Sequence, residues 1–252
     1  ELYGERKPIP VRYALEPISI DGEFADWKAV APMPALYEGL MASSVRIAWR
    51  EDGLYVLARP TDDSIEIDRE DPRAGDSLET YIQKDALREA RRTGASAHYV
   101  VAPDPESEEG ECIVEVAYGN PHVEPAPEIQ ARWGRPIAGE WAMEIFIPAE
   151  RLHPAQMAEG GRMLLNWVLN DDGTAVQRFF ADDEEDESSR SPETWAPVVL
   201  ERRPRKIPAG TVHDPLEIMR APDDIVVDGQ ADDWAGVPTM PLPYEGEPES
   251  YV

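Results

Sequence analysis

The sequence is poor in the side chains on which most catalysis and cross-linking depend. It holds one cysteine, Cys112, and four histidines: His98, His122, His153 and His213. A lone cysteine closes no intrachain disulfide, so redox compartment is not readable from it. No HExxH, no GxSxG, no glycine-rich phosphate loop and no Cys–His arrangement occurs, which removes the usual signatures of hydrolases and nucleotide-dependent enzymes. A glycosidase pair needs one carboxyl shielded enough to hold its proton, and the acids here gather in stretches that read as wet. No enzyme is expected. No apolar run approaches the ~20 residues that span a bilayer, so no membrane insertion is expected. Lysine is scarce: Lys7, Lys28, Lys84 and Lys206 are the four among 24 bases. Against them stand 51 acids, giving a net charge of −27. That field repels a phosphate backbone, so nucleic acid is excluded as a partner.

What is present is a series of short apolar segments with a period of two. In "SVRIAWREDGLYVLARP" Val45, Ile47 and Trp49 point one way, Asp52-Gly53 turns, and Leu54 to Ala58 return, the pattern of a β-hairpin. The segments "SLETYIQ", "SAHYVVAP", "CIVEVAYG", "EIQARWG", "EWAMEIFIP", "RMLLNWVLN", "AVQRFF" and "TWAPVVL" read as further strands. In "CIVEVAY" Cys112, Val114, Val116 and Tyr118 share a face, with Cys112 expected in the core. Many short strands with Gly, Pro and Asp punctuation predict an all-β, antiparallel β-sandwich. Lys84 to Thr93 reads as one short inserted helix, with Lys84, Arg88, Arg91 and Arg92 on one face. A second helical turn is expected at "AERL", after Pro148.

One stretch is written twice. "ISIDGEFADWKAVAPMPALYEG" begins at Ile18 and "IVVDGQADDWAGVPTMPLPYEG" at Ile225, in constant register. A period near 200 residues is far too long for a solenoid and means tandem domains. The expected organisation is a complete sandwich over 1–201, a Pro- and charge-rich linker over 202–217, and over 218–252 the start of a second, truncated copy. Further domains of the same parent chain are expected partners. Within the repeated motif Asp-Gly supplies a tight turn, Asp26 is placed to cap a short helical turn, and Trp27 and Trp234 read as structural plugs whose indoles each need one acceptor.

"IDGEFADW" resembles the opening motif of the family 9 carbohydrate-binding modules and their DOMON-like relatives. The later signatures follow in the same order: "VRIAWREDGLYVLARPTDD", "GDSLETYI", "GEWAMEIFIPAERL", "LLNWVLNDDG" and "TWAPVVL". Together they cover about residues 16 to 201. The resemblance implies a β-sandwich of immunoglobulin-like or jelly-roll architecture and a glycan or cell-surface polymer as partner. It also implies an extracellular or cell-surface location within a larger exported protein.

The resemblance further implies two tryptophans clamping a sugar, but the matching positions are Arg73 and Ser189. The acid of its "DS-x-E" strand is retained as Glu79. Its Arg and Gln ligands fall at Val100 and Val168. A modified ligand-binding site is therefore expected, lined by Glu79, Tyr81, Asn166, Asn170 and Asp171 with Arg73 beside it. The flanking loops are acidic. Hard cations such as Ca²⁺ take clustered carboxylate oxygens, and Asp62, Asp63, Asp76, Asp182 and Asp183 are candidate calcium ligands. The alternative function is thus a calcium-stabilised structural or assembly module that binds no sugar. Some relatives bind haem through Met and His; Met143 and His98 are the nearest candidates here, and no haem is expected.

Overall fold

The computed structural model describes residues 8–37, 40–60, 64–119, 128–136, 140–171, 175–178 and 191–202, without the side chains of 33–43 and 171–178. The chain divides into a unit Glu1–Pro204 and a unit Arg205–Val252. The second unit, and with it the second copy of the motif and Trp234, lies outside the described residues.

The described elements run β1 (Ile9–Tyr13), β2 (Pro32–Tyr37), β3 (Leu40–Arg50), β4 (Gly53–Pro60), β5 (Ser77–Gln83), β6 (Ser96–Pro103), β7 (Cys112–Tyr118), β8 (Gln130–Gly134), β9 (Ala142–Pro148), α1 (Ala149–Leu152), β10 (Arg162–Asp171), β11 (Ala175–Arg178) and β12 (Ala196–Glu201). The ladder order is β7-β6-β5-β10-β11-β2-β3-β4-β9-β8. Among the described residues a single pair, Arg178 with Leu36, joins β11 to β2, and the continuous ladder folds into two facing layers. The predicted β3–β4 hairpin forms in register from Ser43–Pro60 to Arg50–Gly53. Its Val45, Ile47 and Trp49 meet Leu78 and Ile82 of β5, Met143 and Ile145 of β9, and Leu165 and Trp167 of β10 in the main core. No helix among the described residues is long and apolar enough to cross a membrane.

One local expectation is corrected here. Lys84 to Thr93 is a turn and irregular loop rather than a helix. Asp85 accepts from the amide of Leu87 (3.1 Å) and from Gln83 Nε2 (2.7 Å), and Ala86 takes a φ of +58°, so a local Asx turn outcompetes helix nucleation. Lys84 is accordingly buried rather than lined up with the exposed Arg88 and Arg91. Strand pairing is not wholly antiparallel, because β1 runs parallel to both β12 and β3. On β7, Cys112 packs against the core as expected, whereas Val114, Val116 and Tyr118 stay partly exposed. β7 is the terminal strand of the ladder. The helical turn at "AERL" forms as α1.

The repeated motif closes the outside of the β3–β4–β9 layer. Gly22 sits at φ +82°, where an added Cβ would meet Trp133 O at 3.0 Å, so only glycine fits this turn. Trp27, in the 3-10 turn Ala25–Ala29, is buried against Ala48, Tyr55 and Leu57. Its indole donates to Glu144 Oε1 (2.7 Å), while the amides of Gly22 (2.8 Å) and Asp21 (3.1 Å) donate to Oε2. The plug and its acceptor are thus both seen. Asp26 caps nothing; it accepts from the amide of Ser19 at 2.7 Å and staples the strand before the turn.

Burial pushes the Glu144 carboxyl from its ordinary 4.5 up to about 7, against the pull of its three N–H donors. Between those two pH values the folded chain holds a proton that the unfolded chain has released, so stability falls as pH rises through that window. Glu144→Gln keeps one acceptor but turns an NH₂ group onto N–H donors. It is expected to lower stability by roughly 1–3 kcal/mol and to flatten the pH slope, read from denaturant melts between pH 4.5 and 7.5.

Candidate functional site

Alternation along β5 sends Leu78 and Ile82 into the core and turns Ser77, Glu79, Tyr81 and Gln83 to the other face. The neighbouring registers fix what surrounds them. On β10, Val168 lies opposite Glu79, Asn166 opposite Tyr81 and Asn170 opposite Ser77. On β6, Val100 lies opposite Glu79 and His98 opposite Tyr81. The valines on either side offer Glu79 no hydrogen bond, so its partners come from the next positions along the strands. Tyr81 Oη donates to Oε2 at 2.7 Å, and His98 Nε2 meets the same oxygen at 2.7 Å. Asn170 Nδ2 donates to Oε1 at 3.1 Å and also to Ser77 Oγ at 3.0 Å.

Aromatic contacts lock the same side chains. Tyr81 stacks on His98 with centroids 4.2 Å apart and planes 19° apart, and lies 5.7 Å from Trp195. The Arg92 guanidinium lies 5.4 Å from the ring centroids of both Tyr81 and Tyr118, a cation–π arrangement. Glu79 is 8% exposed and Tyr81 2%. Burial acts to raise the Glu79 pKa, but the hydrogen bonds from His98, Tyr81 and Asn170, with the nearby His98 charge, outweigh it and hold the carboxyl below its ordinary value. Glu79 is therefore an ionised, nearly desolvated acceptor at neutral pH. An ionised carboxylate offers about four lone-pair directions; three donors leave room for one more, such as a ligand hydroxyl.

The structure brings Glu79, Tyr81, Asn166 and Asn170 together on adjacent strands. Asn166 is fully buried; its Oδ1 accepts from the amide of Trp167 (2.9 Å), while its Nδ2 has no hydrogen-bond partner among the described residues. Arg73, on the turn Pro72–Ala74, is half exposed and donates to Asp71 (2.8 Å), within electrostatic reach of Glu79 and Glu115. Asp171 ends β10, and its side chain lies outside the described residues. Asp76 is buried, and its carboxylate accepts from the amide of Glu66 at 2.8 Å while its own amide donates back to Glu66 O at 2.7 Å. It fastens the loop. Asp62, Asp63, Asp182, Asp183 and Ser189 lie outside the described residues. Among the described residues no group of three or more His, Cys, Asp or Glu side chains is placed to hold a metal. His98 faces Glu79 while Met143 belongs to the opposite-facing core, so the two haem candidates do not share a cavity.

Trp195 is fully buried and in ring contact with Tyr81. The sequence announced neither that contact nor the part played by Arg92. The alternation of "SAHYVVAP" carried a signal for His98, since a polar ring at that register must face a neighbouring polar position. Nothing local announced Arg92, whose loop has no periodicity.

The carbohydrate family 9 binding domain-like model matches residues 20–203, and the chain belongs to that family. Among solved structures, it is similar to a family 9 carbohydrate-binding module from Caldicellulosiruptor kristjanssonii in complex with cellotriose. The TM-score is 0.62 at 19% identity, covering 80% of this chain and 97% of that one. A carbohydrate-binding module of the same family and organism in complex with glucose gives a TM-score of 0.61 at 19% identity, covering 80% and 100%. A putative carbohydrate-binding protein from Bacteroides uniformis ATCC 8492 gives 0.51 at 13% identity, covering 78% and 100%. At these identities the likeness is one of fold. No curated protein matches the chain significantly.

Glu79→Gln is expected to cost about 1.5–3 kcal/mol at pH 7, because Tyr81 and His98 lose a charged acceptor. The folded pKa of Glu79 lies below its unfolded value, so its contribution is present above the ordinary carboxylate range and lost as pH falls below it. The variant should therefore lose less stability on acidification than the parent, which denaturant melts at pH 7 and pH 4 will read.

Proposed function

We propose that the chain is a non-catalytic carbohydrate-binding module of a larger exported protein, taking a glycan on the β5–β6–β10 face through a modified site. The observation that carries this reading is the Glu79 carboxylate. It is kept ionised in a buried setting by Tyr81, His98 and Asn170, at the position where the family motif has its acid. A buried anion costs several kcal/mol unless its oxygens are filled, and a sugar hydroxyl is the donor that suits its remaining lone pair. Membership of the family supports the same reading, as do the cellotriose and glucose bound to the modules of similar fold.

The site differs from a two-tryptophan clamp. Arg73 stands where the first aromatic is expected, so less of the binding energy comes from stacking and more from polar contacts. Hydrogen-bonded recognition of hydroxyls gives sharper discrimination between epimers than stacking does.

Isothermal titration with glucose and cellotriose is expected to give saturable binding that Glu79→Gln and Tyr81→Phe each weaken by about tenfold, one charge-assisted contact's worth. Absence of saturable binding to any neutral glycan on an array, together with a melting temperature raised by millimolar Ca²⁺ and restored by EDTA, would replace this reading with the calcium-stabilised structural module.

A further inference from the structure

The face of the sandwich around the repeated motif holds a cavity of about 590 Å³, bounded by the motif and by β3, β4 and β9. Its size falls within the range of small-ligand pockets. Phe24 and Leu57 give it apolar walls, while Lys28, Arg46, Arg59 and Arg135 surround it with cationic groups. Glu23 also lines it, and Glu140 reaches it through Arg59, whose Nε (2.7 Å) and Nη2 both donate to one Glu140 oxygen. Four cationic side chains against two carboxylates reverse the sign of a chain whose net charge is −27. Arg46 is held rigidly: its Nη1 donates to the carbonyls of Trp27 (2.7 Å) and Val30 (2.9 Å). Its Nε and Nη2 have no partner among the described residues.

The geometry points to a second ligand site here, one that takes a saccharide carrying a carboxylate, a uronate residue. A pre-oriented guanidinium suits a carboxylate better than any neutral group. The Phe24 ring and Leu57 give the apolar surface on which the CH face of a pyranose packs. The choice of a sugar rather than another carboxylate rests on the carbohydrate reading given above, but the residues are entirely different, and Glu79 contributes nothing to this cavity.

Trigalacturonate is the probe, titrated calorimetrically beside cellotriose and hexaglutamate. Saturable trigalacturonate binding is expected, weakening with added NaCl. It should fall about tenfold in Arg59→Gln and in Lys28→Gln, the loss of one charge-assisted contact, and fall again in Phe24→Ala. Arg162→Gln, which removes an equal charge from an exposed position on β10, should leave it unchanged. Lys28 is exposed, so its variant still reads the site should Arg59→Gln melt early. Any of three results overturns the proposal. These are no saturable binding of trigalacturonate, equal losses in Lys28→Gln and Arg162→Gln, or hexaglutamate binding as tightly as the sugar. Retained trigalacturonate binding with no response to cellotriose would sink the neutral-glycan site and leave this one standing.

Discussion

The outer layer of the domain depends on one buried carboxylate. Glu144 stands on β9 with its side chain out of water, a position that costs several kcal/mol unless its oxygens are filled. Among the described residues, all three donors to it come from the stretch Asp21 to Trp27. Docking of that stretch and satisfaction of that acid are therefore a single event. Trp27 then covers Ala48, Tyr55 and Leu57, and Arg46 ties the turn down from outside through the carbonyls of Trp27 and Val30. The wall of the cationic cavity exists only because this fastening holds.

Glu79 solves the same burial problem in the opposite way. Glu144 takes two of its three donors from main-chain amides, and its pKa moves up; Glu79 takes all three from side chains, and its pKa moves down. Main-chain donors are fixed by the fold and cannot be exchanged. Side-chain donors such as Tyr81, His98 and Asn170 are set instead by the packing of their rings and amide against neighbouring strands.

Much of this was legible in the sequence. Strict alternation placed Val45, Ile47 and Trp49 in the core and put Glu79 with Tyr81 on one face, because a period of two leaves no choice once one face is buried. The Asp-Gly and Asp-Trp of the repeated motif announced a tight turn and a plug, and the indole's need for an acceptor pointed to a partner without naming it. Glu144 was invisible, since it reads as an ordinary polar position in "AMEIFIP" and its partners lie more than a hundred residues away. The loop Lys84 to Thr93 misled for a related reason. Its charges fit a helical spacing, but it lacks the apolar stripe that would hold a helix down, and Asp85 captured the backbone locally. Arg92 reached Tyr81 and Tyr118 only because no helix formed.

The parallel pairing of β1 with β12 has a mechanical meaning. Ile9 to Arg12 lie beside Val198 to Glu201 in register, and Arg12 bridges to Glu201 at 2.5 Å. The first and last strands of the sandwich run the same way, so the chain arrives at one end of this ladder and departs from the other. Tension applied along the polypeptide pulls the two strands past one another and loads their hydrogen bonds together instead of peeling them one at a time. A module strung between others in a longer chain would meet such a pull in shear, the direction in which a short ladder is hardest to open.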